Sequence, residues 1–209
     1  MNGNKLIAFL LSPTYFYADF RKNMVVEQHG KPEITRLIKI YNKRYLFASL
    51  LVAMGLGVNY QWNEYPEEHK IIYSFLIAAI IWFLPLSRCN EIFYAFIKDA
   101  LDKVSHKGQR SNLAFSERIR LALNSYLELV VNFGIIFYLL PSEWFNKPLP
   151  SILDALYFSG VTITTLGYGD FSPNHFVPQF LVVYEVFCGF TLLIVSFAIY
   201  AGRGLNEKA

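Results

Sequence analysis

The sequence predicts an all-α integral membrane protein with four transmembrane helices and one shorter re-entrant helix per chain, and three observations carry that expectation. Of 209 residues, 54% are hydrophobic and 17% aromatic, with a mean hydropathy of +0.31, which is more apolar than an ordinary soluble domain of this length. Four apolar runs, Tyr45 to Tyr60, Ile71 to Leu86, Leu121 to Leu140 and Phe180 to Tyr200, each approach the roughly 20 residues that a helix needs to cross a bilayer core. A fifth run, Ile152 to Thr164, is too short to cross. Pro148, Pro150 and Ser151 precede it and Asp154 follows Ser151 by three residues, so it starts as a capped helix that enters the membrane part-way.

Taken in order, residues 1–44 read as a cytoplasmic or interfacial region. Lys5 followed by Leu6 to Leu11 resembles the start of a signal peptide, but Pro13 interrupts the apolar core and Asp19 to Lys22 follow with no small-residue cleavage pattern. A membrane-surface segment is expected instead, with Phe16, Tyr17 and Phe20 above a basic cluster. From Pro32, the residues Ile34, Leu37, Ile38 and Tyr41 recur at helical spacing and run into the first span, which predicts one long helix. Residues 45–87 form a peripheral hairpin. Its Ser49, Ala53 and Gly57, four apart, let another helix approach closely, and its spans carry no row of basic residues, which excludes voltage sensing of that kind. Residues 88–110 read as an amphipathic linker along the inner membrane surface, with Ile92, Phe93, Phe96, Ile97, Leu101 and Val104 opposed to Glu91, Lys98, Asp99, Asp102 and Lys103 until Gly108 breaks the helix. Residues 111–205 contain the last two spans with the re-entrant segment, and 206–209 form a tail.

Charge placement sets the expected orientation. Lys5, Arg21, Lys22, Lys31, Arg36, Lys39, Lys43 and Arg44 precede the first span, and Arg88, Lys98, Lys103, Lys107, Arg110, Arg118 and Arg120 separate the second from the third. The loops on the other side are acidic or nearly neutral, with Glu64, Glu67 and Glu68 in one and Lys147 against Glu143 and Asp154 in the other. Both termini are therefore expected in the cytoplasm, in a cell or plasma membrane. Two carboxylates fall inside spans: Glu128, on one helical face with Asn124 and Asn132, and Glu185, one turn before Gly189. Burying either without a partner in hydrocarbon is costly, so both should face protein.

Other classes of function find no support in the residues. The net charge of +3 is small and spread over loops, not gathered into a nucleic-acid-binding stripe. Cys89 and Cys188 are far apart and read as free thiols. His29, His69 and His106 lack metal-ligand spacing, His175 reads as a solvated loop histidine, and no nucleophile, phosphate loop or carboxylate pair suggests an enzyme or an organic cofactor.

The one stretch with a specific chemistry is Thr164-Thr165-Leu166-Gly167-Tyr168-Gly169-Asp170. Gly167 and Gly169 tolerate positive φ, so a strand-like segment here can turn successive carbonyls toward one axis and replace the hydration shell of a cation. Thr165 adds a hydroxyl oxygen at the inner end. Together with Tyr157-Phe158-Ser159-Gly160-Val161-Thr162-Ile163, the stretch resembles the pore helix and selectivity filter of the tetrameric potassium channels, departing at Leu166, where many members have valine or isoleucine. Tyr184 to Gly189 extends the resemblance, since bacterial members often carry a glutamate at the place of Glu185.

The resemblance implies K+ held by Thr165, Leu166, Gly167, Tyr168 and Gly169, with Thr164, Val161, Tyr157 and Asp170 supporting them. Val161 stands where some members place a glutamate and Tyr157 where others have tryptophan, so the Tyr157 hydroxyl is expected to hold Asp170. Gly189 is the implied hinge of the inner helix, and Phe190, Leu193 and Phe197 its cavity-facing gate positions. One filter strand supplies one side of a cage, so four copies are expected around an axis in the bilayer, with K+ ions and no other cofactor. A cytoplasmic regulator is left open. Two alternatives also stand: a non-conducting membrane assembly or signalling subunit that retains the pore fold, and a subunit of a potassium uptake system.

Overall fold

The computed structural model describes residues 12–29, 31–58, 82–105 and 111–195. Helix α1 (Pro13–His29) starts on a proline, which suits a first turn whose N–H has no intrahelical partner. Helix α2 (Lys31–Val58) has Pro32 and Glu33 in its first turn and runs unbroken through the start of the first apolar run, as the periodicity predicts. A π-helical turn, Trp82–Leu86, contains Pro85, whose missing N–H breaks the regular ladder, and leads into α3 (Ser87–Val104). Helix α4 (Phe115–Leu139) follows, with Glu117 accepting the Ala114 N–H at 3.0 Å. Helix α5 (Ile152–Ile163) is capped as expected: the Ser151 hydroxyl accepts the Asp154 N–H at 3.3 Å and Asp154 accepts the Ser151 N–H at 3.1 Å. Helix α6 (Phe176–Phe190) passes into a π-helical turn, Thr191–Val195.

Helix α4 is the centre of the bundle. Its Leu129, Phe133, Ile136 and Phe137 are buried with Phe158 and Ile163 of α5, Leu181 and Cys188 of α6, and Cys89 and Ile92 of α3. On the other flank, Val131 and Ile135 pack with Ala53 of α2 and Ile152 of α5. Gly134 lets α4 and α5 come close: a Cβ there would sit 2.7 Å from Leu156 Cδ2 and 3.1 Å from the Leu156 Cα. The small-residue face of α2 makes the contact its spacing predicts. Ser49 donates to Asn132 Oδ1 at 2.8 Å, Ala53 is buried, and a Cβ on Gly57 would reach Ile152 Cγ2 at 3.1 Å.

Among the described residues two helices are long and apolar enough to cross a membrane, Ser116–Leu139 and Phe176–Leu193. The first expected span lies partly in α2, while residues 59–81, which hold most of the second, fall outside the described residues. Both cysteines are free, as read from the sequence.

The structure corrects the linker and two charges assigned to it. Helix α3 begins inside the bundle: Cys89 and Ile92 belong to the main core, Phe93 meets Tyr184 edge to face, and the Tyr184 hydroxyl donates to Asn90 Oδ1 at 2.5 Å. Its apolar stripe therefore serves α4 and α6 as well as any surface. Arg88 and Arg118, counted above with the loop cations, are only 8% exposed, because each has a carboxylate partner within the protein. They weigh less in the orientation argument than free loop cations.

Candidate functional site

The site grows from the C-terminal end of α5. There Thr164 Oγ1 donates to the Gly160 carbonyl at 2.6 Å, the Thr165 N–H to the Thr162 carbonyl at 2.9 Å and the Leu166 N–H to the Val161 carbonyl at 3.0 Å, so the chain leaves the helix tightly folded back on it. Beyond this point φ is positive at every second residue: 59° at Thr165, 55° at Gly167 and 77° at Gly169. Alternation between left- and right-handed residues aligns backbone dipoles along one side of a segment, the arrangement a carbonyl-lined cation path needs. Glycine takes these angles freely. Thr165, which is β-branched, holds its angle at a cost of about 1–2 kcal/mol, a strain its spacing did not reveal.

Residues 164–170 are all exposed in the single chain, including Leu166 at 60% and Tyr168 at 67%. The segment is nevertheless anchored beyond Asp170. The Asn146 N–H donates to the Ser172 carbonyl at 2.8 Å while the Ser172 N–H donates to Asn146 Oδ1 at 2.8 Å, and the Asn174 N–H reaches the Trp144 carbonyl at 2.8 Å. Trp144 stacks on His175 at 4.1 Å, and His175 Nδ1 caps α6 by accepting the Val177 N–H at 3.3 Å. The Lys147 ammonium lies 4.3 Å from the centre of the Phe171 ring, whose edge meets Tyr157. Tyr157 lies near enough to Asp170 for the hydroxyl and carboxylate to interact.

Behind the segment, three helices meet at Ser159. Its hydroxyl donates to the Val130 carbonyl of α4 at 2.9 Å, and the same oxygen lies 2.5 Å from Oε1 of Glu185 on α6. Glu185 is fully buried, and its Oε2 has no hydrogen-bond partner among the described residues. One turn further on, a Cβ on Gly189 would stand 2.7 Å from Ile163 Cγ1 and 3.4 Å from the Ile163 carbonyl.

A family model described as "Ion channel" matches residues 125–204, which hold this whole constellation. Similar proteins include two-pore potassium channel 2 of Arabidopsis thaliana, 31% identical over 94 residues, 44% of this chain and 21% of that one. Two-pore potassium channel 1 of the same plant is 38% identical over 69 residues, 32% of this chain and 19% of the relative. A probable potassium channel protein 2 of Methanocaldococcus jannaschii is 45% identical over 47 residues, 22% of this chain and 14% of the relative. Residues 125–204 thus carry an ion-channel segment that is similar to parts of potassium channels. The chain spans about a fifth or less of the length of the relatives it matches, and no solved structure matches it significantly.

Within the channel segment the structure brings some expected residues together and separates others. Tyr157 lies near Asp170, Thr164 closes the helix end, and Val161 is buried with its carbonyl accepting the Leu166 N–H. Glu185 sits behind α5, bonded to Ser159. Helix α6 continues through Gly189, and the irregular turn comes after it, at Thr191–Val195, so in this state the glycine serves close approach to Ile163, not a bend. Phe190 is exposed and Leu193 half-buried, whereas Phe197 lies outside the described residues.

Glu128 finds a partner that the sequence reading missed. Arg88 donates to it through Nε at 2.6 Å and Nη2 at 3.2 Å, contacts Glu91 through Nη1 at 2.8 Å, and places its guanidinium 4.2 Å from the centre of the Tyr45 ring. The polar stripe of α4 is completed by Asn124 donating to Asn42 at 3.2 Å and by Asn132 accepting from Ser49. The demand for a partner was readable from Glu128. Its identity was not, because Arg88 looked like a loop cation.

Proposed function

We propose that the chain is one protomer of a potassium-selective channel that conducts K+ passively, with four copies placing their Thr165 to Gly169 carbonyls around a common axis. The observation that carries this reading is the alternation of positive φ at Thr165, Gly167 and Gly169 in an exposed Thr-Leu-Gly-Tyr-Gly segment at the carbonyl end of α5. That helix end carries partial negative charge, which favours a dehydrating cation. Asymmetry of α6 supports assembly: Phe176, Phe180, Val183 and Phe187 recur at intervals of three and four residues and all lie exposed in one chain. In the tetramer this stripe packs against a neighbouring copy.

In this reading each chain has four spans, α1 and the start of α2 lie at the cytoplasmic surface, and α2 packs outside α4 toward lipid. Tyr168 and Asp170 line the outer mouth, K+ is coordinated by Thr165, Leu166, Gly167 and Tyr168, and Phe190, Leu193 and Phe197 line the inner cavity. The test is flux from purified protein in liposomes under an outward K+ gradient. Flux that is present for K+, small for Na+ and lost on Gly167→Ala supports conduction through this filter. Absence of flux from protein that assembles as a tetramer overturns it.

A further inference from the structure

A cavity of about 250 Å3 opens between α1, α2, α3 and the N-terminal part of α4, away from the filter. Its walls combine apolar side chains, Ile34, Ile38 and Phe96 among them, with charged ones that balance, four carboxylates against four cations. Several of these are satisfied within the protein: Arg88 by Glu91 and Glu128, and Arg118 by Asp99.

Glu91 is only partly satisfied. It is 6% exposed, and while Oε1 is held by Arg88 at 2.8 Å, the buried Oε2 has no hydrogen-bond partner among the described residues. Lys22, on the facing helix, is half-buried in the same lining; desolvation lowers its pKa and Glu91 opposes the shift. A buried carboxylate oxygen left without a donor is costly, so the cavity calls for a donor at Glu91.

We propose that this cavity is a binding site for a small zwitterion that carries a primary ammonium beside an anionic oxygen group, the chemistry of an ethanolamine phosphate. The ammonium donates to Glu91 Oε2 and the anionic group accepts from Lys22. A ligand with no net charge preserves the balance of the lining, whereas a purely anionic or cationic one leaves a buried excess. The volume is smaller than the roughly 300–1,000 Å3 of drug-sized sites, which limits the occupant to a headgroup or a similarly small molecule. A quaternary choline ammonium has no N–H to give Glu91, so the site discriminates between the two headgroups.

The experiment is native mass spectrometry of the full chain after exchange from vesicles containing equal amounts of ethanolamine and choline phospholipids with identical acyl chains. The expected result is at least a tenfold excess of retained ethanolamine lipid, worth about 1.4 kcal/mol. It should fall to parity in Glu91→Gln, which keeps an oxygen for Arg88, while Lys22→Met, which removes the partner of the anionic group, should lower retention of both headgroups at least several-fold. If Glu91→Gln fails to fold, the loss of retention in Lys22→Met decides. A parallel titration uses free O-phosphoethanolamine: competition with the lipid identifies a soluble source and its absence a lipid one, and both support the site. Equal retention of both headgroups by the wild type with no binding of O-phosphoethanolamine, or retention that is unchanged in Lys22→Met, overturns it.

Discussion

Replacement of Glu185 tests how the filter is held from behind. A hydroxyl has one proton, so Ser159 can donate to the Val130 carbonyl at 2.9 Å or to Glu185 at 2.5 Å, but not to both. The chain from α6 through α5 to α4 closes when Glu185 itself supplies the donor to Ser159. A glutamine supplies the same donor through its amide, so Glu185→Gln should change stability by less than about 1 kcal/mol. Glu185→Ala removes the donor, about 1–3 kcal/mol, and opens a void behind α5 that adds about 1 kcal/mol, for a loss of roughly 2–4 kcal/mol. In thermal unfolding of the assembled protein in detergent this is a fall of roughly 5–15 °C, with K+ flux reduced in parallel. Should Glu185→Gln lose as much as Glu185→Ala, an ionised carboxylate is required and the proton accounting is wrong.

Further substitutions test the supports one at a time. Arg88→Met strands Glu128 and Glu91 and should cost about 3–5 kcal/mol, while the pair Arg88→Met with Glu128→Leu should recover at least about 2 kcal/mol of it; additive losses in denaturation cycles would show that the two do not interact. Gly134→Ala meets the Leu156 backbone and should destabilise by about 1–3 kcal/mol, whereas Gly55→Ala, with nothing within 4 Å, should be neutral or stabilising by up to about 1 kcal/mol; the opposite order in thermal melts would refute the close α4–α5 contact. Tyr157→Phe removes the hydroxyl near Asp170 and should speed current decay in planar bilayers; unchanged decay would dismiss the latch.

The elements that periodicity and capping specify were legible in the sequence. Ser151 with Asp154 announced the start of α5, the spacing from Ile34 to Tyr41 announced the continuous α2, and the four-residue interval of Ser49, Ala53 and Gly57 announced which face of α2 meets another helix. A candidate filter could be marked in the sequence because carbonyl coordination of a cation needs particular residues at fixed spacing. What was not legible depends on chain segments meeting across long separations. Arg88 reaches Glu128 over 40 residues, and Ser159 reaches Glu185 over 26. The strained φ of Thr165 was hidden too, because only glycines advertise positive φ in a sequence. The docking of α3 escaped because an amphipathic stripe looks the same whether it faces lipid or protein.

The central claim is that the carbonyls of Thr165 to Gly169 select potassium. Its most direct test is the reversal potential of currents through the purified protein in planar bilayers with K+ on one side and Na+ on the other. The account predicts a reversal potential that moves with the K+ gradient by nearly the full Nernst slope; a reversal near zero would contradict it.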